Sequence, residues 1–334
     1  MEVEKIDKGW VNKLKKKMNK TKKNKMSFES RRKRLVKNLR HTWPLLLMVT
    51  IPLVLVFVLN YAAYPGLRMV FMDFKPAKGY DGSKWVGWAT FAEVFQDKDF
   101  HRALRNSIVF NVLGLLVSFP APIILALILN ELRYPRFKKV SQTILYLPHF
   151  LSWPIIGSVA YTLFRPTTGL VNVVLRNAGL IETGIPFLTE KTHWAVTYLL
   201  IGVWAGMGWG TIIYLAAITG INGELYEAAM IDGAGRWKRM WHITLPGIKG
   251  TIVTLLIMNM GRLMGSNFEA LQVFDNSRIR EYQYQLAIYI YQKGLSGNKF
   301  SMSTAVGLFQ SLVGLCLVLL TDRIAKWLGE EGLF

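Results

Sequence analysis

Glu227, Ala228, Ala229 and Gly233, followed at fixed spacing by Ile243, Leu245 and Pro246, are residues suited to gripping another surface rather than to breaking bonds. Two alanines keep one helix face flat for close approach, Gly233 permits a bend, and Glu227 offers a carboxylate to a partner's donors. A second polar set, Asn259, Arg262, Asn267 and Glu269, falls in an otherwise apolar stretch. A guanidinium inside a bilayer costs about 2.5–3.5 kcal/mol at a helix centre, so Arg262 requires a carboxylate, water or substrate as partner. On one continuous helix Arg262 and Glu269 lie two turns apart and share a face. Two roles follow for the set: a polar lining for a translocation path, or a buried ion pair between subunits.

Catalytic chemistry is not legible. His41, His101, His149, His193 and His242 are scattered singly, with no metal-ligand spacing. His149 either lines a polar path or settles a local kink beside Pro148. Trp204, Trp209 and Tyr214 either stack on the flat face of a ligand or pack within a helix bundle. Cys316 is the one cysteine, so no disulfide framework or thiolate metal cluster arises. No GxxxxGK[ST] loop is present to cradle nucleotide phosphates.

The elements that must position these residues are membrane spans. The chain has 334 residues, about half of them hydrophobic. Residues 41–67, 106–130, 140–164, 192–223 and 300–321 contain no charged side chain. Each run is long enough to cross a bilayer, which takes about 20 apolar residues. A sixth, about 249–268, qualifies but for Arg262. The pattern predicts an all-α polytopic membrane protein with six spans: about 43–61, 106–130, 142–164, 194–217, 249–268 and 303–321. Pro52, Pro148 and Pro154 predict kinks within spans, and the glycine-rich fourth span predicts close helix packing. Polar stretches 63–104, 165–192 and 269–300 separate the spans, the first reading as interfacial helices.

Between spans four and five, the stretch about 219–248 has its own helix grammar. Asn222 is an N-cap with Glu224 in the first turn; Gly233 and Gly235 end that helix. A short basic helix from Arg236 to Trp241 follows, with Pro246 as its stop.

The net charge of +20 is concentrated at the start, where residues 1–42 carry sixteen Lys or Arg against four Asp or Glu. This basic arm carries no nucleic-acid reading motif and is expected to bind anionic lipid headgroups. The first apolar run lacks a small-residue cleavage pattern and should remain as an anchor. An even number of spans puts both termini on one side. Most Lys and Arg are accounted for if that side is the cytoplasm, which makes the chain a multi-pass plasma-membrane protein. The domain reading is a basic arm (1–42), a six-span domain (43–322) and a short cytoplasmic end (323–334).

The spaced set beginning at Glu227 resembles the EAA loop of permease subunits in binding-protein-dependent ABC importers. The stretches YPGLRMVFMDF, ILALILNELR, ILYLPHFLSW and IIYLAAITGINGELYEAAMIDGAGRWKR are similar to one carbohydrate-uptake subgroup, the LplB-type polysaccharide or oligosaccharide permeases. The likeness covers roughly residues 40–334. It implies a cytoplasmic coupling helix and three kinds of protein partner: a second, homologous permease, a cytoplasmic ATPase dimer and an extracytoplasmic substrate-binding protein. It also implies a carbohydrate cargo, with ATP and Mg held by the ATPase and no cofactor or metal on this chain. The alternative from another class is a membrane-embedded enzyme acting on lipid or glycan.

Overall fold

The computed structural model describes residues 42–334. The expected basic arm, apart from Thr42, lies outside these residues. The chain divides into two compact units after Leu67. The first contributes most of a long helix, α1 (Thr42–Phe71), which ends in a 3-10 turn from Tyr64. Its apolar side chains, Leu47, Val54 and Phe57 among them, are exposed along its length, as suits a helix solvated by lipid.

The second unit opens on a two-residue antiparallel ladder, Met72–Asp73 (β1) with Lys84–Trp85 (β2), where helix alone was expected. Helix α2 (Ala89–Gln96) then leads to α3 (Lys98–Ser118). Phe119 stays in the right-handed helical region, so α4 (Pro120–Asn130) continues α3 as one span. Prolines belong in a first helical turn, where no N–H partner is lost.

Helix α5 (Pro135–Tyr146) runs through a 3-10 turn into a bend of 106° before α6 (Trp153–Phe164). Here Ser152 is extended, ahead of Pro154 in the first turn of α6. The expected kink is therefore a bend sharper than a right angle. Helix α7 (Leu170–Asn177) is short, and α8 (Lys191–Thr219) is an unbroken run of 29 residues, about 43 Å at 1.5 Å per residue.

Helices α9 (Gly223–Ile231), α10 (Arg236–Arg239), a π turn (Met240–Thr244) and α11 (Leu245–Gly247) make the connection to α12 (Lys249–Gly261). Arg236–Gly247 and α12 form a second bent pair, at 57°. Pro246 does not end the basic helix; it opens α11. The Leu245 N–H bonds back to the Met240 carbonyl, five residues behind, so the wider π turn carries the chain past the proline. After a break come α13 (Phe268–Val273), α14 (Arg280–Gln283), α15 (Leu286–Ile290), a second π turn (Tyr291–Ser296) and α16 (Phe300–Trp327). Among the described residues four helices are long and apolar enough to cross a membrane, or six if each bent pair is one span.

Three apolar clusters hold the second unit together. Phe100, Leu286, Tyr289 and Ala305 join α3, α15 and α16. Ile156, Ala160, Ile201 and Phe274 join α6, α8 and α13. Tyr214, Ile218, Met240 and Ile248 seat the π turn against α8 and α4. The expected close packing of span four is present at Gly208, where a Cβ would run into the Leu145 carbonyl. Polar ties pin α3 to the stretch before α15: Asn106 donates to the carbonyls of Glu281 (2.7 Å) and Tyr284 (3.0 Å), and the Leu286 N–H donates to Ser107 Oγ (2.8 Å).

Asp97 caps α3, accepting from the Asp99 N–H at 2.9 Å. It also accepts from the Tyr289 hydroxyl at 3.0 Å and from Lys293 Nζ at 2.9 Å. Burial pushes this carboxyl up, but the hydrogen bonds from Lys293, the Asp99 amide and Tyr289 together hold it below its usual value. Lys293 is raised in turn, first by its hydrogen bond to Asp97.

Candidate functional site: a coupling elbow and a polar cavity

The elbow is built as its sequence predicts. Asn222 Oδ1 accepts from the Glu224 N–H at 3.0 Å, satisfying one of the orphan donors that start α9. At the other end Gly233 adopts φ +75°. Its N–H bonds to the Met230 carbonyl and the Ala234 N–H to that of Ala229 (3.1 and 2.8 Å). These two bonds are a Schellman closure, which needs a left-handed residue at that position.

The spaced residues divide by direction. Ile243 and Leu245 are half-buried, and Leu245 packs on the Tyr214 cluster. Glu227, Ala228, Gly233 and Pro246 are exposed, with Ala229 half-buried between. Glu227 has no ion-pair partner among the described residues. Helix α9 buries no side chain, and Ile231 and Trp237 are 87% and 74% exposed. The Tyr226 hydroxyl meets Thr244 Oγ1 at 2.9 Å, which fixes α9 to the buried π turn. Ile221 fills the space beside Gly247; a Cβ there would lie 2.6 Å from Ile221 Cδ1. The result is a firmly based projection whose apolar and charged tip has no cover.

The second polar set is rearranged. Helix α12 ends at Gly261, and Arg262 stands just beyond it, its N–H on the Asn259 carbonyl at 3.0 Å. Bonds from Leu263 to Met260 and from Gly265 to Arg262 tighten the end into 3-10-type turns. Gln310 on α16 donates to the freed Met264 carbonyl at 2.7 Å. A new helix then starts at Asn267, whose Oδ1 accepts from the Ala270 N–H at 3.0 Å, with Glu269 in its first turn. Arg262 and Glu269 are thus on different elements, and the shared face expected of one helix does not exist. The reason is legible afterwards: Asn267-x-Glu269 repeats the capping grammar of Asn222-x-Glu224.

Arg262 and Asn259 line a cavity of about 570 Å³ between α3, α4, α8 and α12; Asn267 and Glu269 do not. Arg262 is exposed and forms no ion pair among the described residues. Asn259 Nδ2 donates to the Leu255 carbonyl at 2.7 Å, and its oxygen has no hydrogen bond among the described residues. Asn111, which the sequence reading missed, also lines this cavity, and its buried Nδ2 has no partner. Its signal was an amide in the interior of a charge-free span. Gly202 and Gly206 lie on the same wall with open space where a side chain would be.

Of the aromatic candidates, Trp209 and Tyr214 both line this cavity, Tyr214 as a buried core residue. Trp209 stacks on His149, centroids 4.7 Å apart and planes 10° apart, so His149, in the bend before α6, packs behind Trp209 and is not itself in the cavity lining. Trp204 faces instead an apolar cavity of about 470 Å³ between α6 and α8.

Residues 118–330 match the family described as "Binding-protein-dependent transport system inner membrane component". The chain is 42% identical to the polygalacturonan/rhamnogalacturonan transport system permease YteP of Bacillus subtilis, covering 92% of this chain and 95% of that one. It is 41% identical to the protein LplB of the same organism, covering 88% and 92%. A bacterial ABC transporter involved in import of the acidic polysaccharide alginate has a chain that superposes with a TM-score of 0.76 at 35% identity. That match covers 88% of this chain and 98% of the other. A second structure, the alginate transporter with an alginate-pentasaccharide-bound periplasmic protein, matches at 34% identity and a TM-score of 0.76, covering 89% and 99%.

Proposed function

Because the chain belongs to the family of binding-protein-dependent transport system inner membrane components, and is a sugar ABC transporter permease subunit, we propose that it couples a partner ATPase to import of oligosaccharides through the elbow at Glu227–Pro246. The observation that carries this reading is the elbow's exposed tip on a buried base. Ile231, Trp237 and Met230 are uncovered, while Met240, Thr244 and Ile248 are locked into the core. An exposed apolar tip of this kind marks a protein contact, and its rigid seat lets a push on it reach the spans.

The working assembly is this chain with a second permease, an ATPase dimer holding ATP and Mg at the cytoplasmic face, and a substrate-binding protein at the other. Both termini and the elbow face the cytoplasm. Closure of the ATPase moves α9, the π turn transfers that motion to α12, and the spans alternate access to the 570 Å³ cavity. Asn259, Arg262 and Asn111 supply its polar wall. The free guanidinium favours a cargo bearing carboxylates, in keeping with relatives named for polygalacturonan and alginate. Asn267 and Glu269 act in the break rather than on the path.

The test is reconstitution of the four-part assembly in proteoliposomes, measuring ATP-dependent uptake of a radiolabelled galacturonate tetrasaccharide. Uptake that needs ATP and binding protein is expected. An assembly that purifies without the ATPase, or hydrolyses ATP without moving sugar, would overturn the reading.

A further inference from the structure

The run from Arg262 to Gln272 passes three cavities in succession. Arg262 faces the one already described. Ser266 and Phe268 face a second, of about 540 Å³, against the second π turn and α16. Phe268 and Gln272 face a third, of about 160 Å³. The second and third share Phe268 and Tyr291 as a wall, two rings 4.8 Å apart. Helix α12 separates this end of the route from the elbow by 13 residues, about 20 Å.

The third cavity has the size and chemistry of a sugar site. Its volume is that of about five waters at liquid density, roughly one pyranose ring. Three carboxamides line it: Gln272, Gln283 and Gln292. Gln283 is only 3% exposed; its Nε2 donates to the Asp275 carboxylate, and its buried Oε1 has no partner among the described residues. The side-chain amides of Gln272 and Gln292 make no hydrogen bond among the described residues. A buried acceptor left unpaired carries a desolvation penalty, which a hydroxyl donor reaching it would recover.

Charge decides which ring fits. Arg280 is the cavity's one cation and is committed to Asp275 at 3.5 Å. A uronate carboxylate entering there would meet Asp275 with no free cation to balance it. We propose that this small cavity is a subsite for a single neutral pyranose unit of the transported chain. Hydroxyls are read by Gln272, Gln283, Gln292 and Asp275, and Phe268 and Tyr291 form the aromatic wall past which the chain continues. Its geometry is held by Asn106, whose bonds to the Glu281 and Tyr284 carbonyls fix the backbone on both sides of Gln283. The site rests on the importer reading and adds to it a selectivity opposite to that of Arg262.

The experiment is equilibrium binding to the purified transporter complex without binding protein. It uses two probes, a radiolabelled galacturonate tetrasaccharide and its carboxyl-reduced neutral counterpart. The double variant Q272A/Q292A, which changes no buried side chain, should weaken binding of the neutral probe about tenfold. Gln283→Leu should act like the double variant, and the double variant decides the matter if Gln283→Leu does not assemble. Unchanged affinity of the double variant for the neutral probe, or a wild-type complex that imports the acidic probe but never binds the neutral one, overturns the subsite. A wild-type assembly that imports neither probe overturns the importer reading as well.

Discussion

Substitution of Gly233 separates backbone strain from partner contact. At φ +75°, a residue with a Cβ costs about 1–2 kcal/mol relative to glycine, and asparagine costs less because its short polar side chain tolerates the left-handed region. A Cβ built at Gly233 meets nothing within 4 Å, so a side chain there clashes with no part of this chain. Strain alone therefore predicts that Ala and Leu behave alike, each lowering the population of the closed α9 end about 5- to 30-fold, with Asn closer to wild type. Docking of the bare turn into a partner cleft predicts a steeper order: Asn, then Ala, then Leu, with Leu abolishing ATPase association. The assay is the amount of ATPase retained on purification, together with sugar moved per ATP hydrolysed. Normal retention and normal coupling in Gly233→Leu would refute both the strain and the docking argument.

Arg262→Gln should preserve assembly and basal ATP hydrolysis while reducing uptake of the acidic tetrasaccharide at least tenfold; equal uptake of both probes would remove the guanidinium from the path. The Asp97 clasp predicts an acid limb. Since its folded value lies below 3.8, its contribution is complete above that pH and is lost as pH falls through the folded value. Asp97→Asn should therefore lower the thermal midpoint of the complex at pH 7 and flatten its decline below pH 4. Lys293, raised above 10.5, loses its contribution only as pH rises through that folded value, so the midpoint should be level between the two limits. Gly208→Val should sharply cut the yield of folded protein, because the new atoms enter the Leu145 backbone, whereas Gly206→Ala, in open space, should spare yield and alter transport only.

Much of the architecture was legible because a bilayer imposes one simple demand, about 20 apolar residues per span, and charge marks the ends. The elbow was legible because Asn222, Glu224 and Gly233 are local signals that act through adjacent backbone groups. What was lost involved competition between signals. Asn267 and Glu269 carry the same capping grammar, yet the apolar run through Arg262 argued for continuity. The decision for a break depends on Gln310, far along the chain, receiving the freed Met264 carbonyl. Pro148 and Pro154 announced a disturbance, but its angle of 106° follows from Ser152 adopting extended backbone. Asn111 and the small cavity lined by Gln283 are products of tertiary placement. No spacing rule brings α3 to α12, or α13 to the second π turn.

The bent pair Arg236–Gly247 and α12 has a mechanical consequence. Its two limbs hold 12 and 13 residues, about 18 and 20 Å of helix, and meet at 57°. At their junction Ile248 is immobilised against Tyr214 and Ile218, with Ile221 wedged beside Gly247. This is a bell crank: two nearly equal arms about a fixed pivot, with Trp237 near one tip and Arg262 at the other. Equal arms neither amplify nor attenuate, so the stroke delivered at Trp237 is returned at Arg262 with similar length and a changed direction. Under the proposed coupling, the size of the opening at the cavity would be set by how far the ATPase travels.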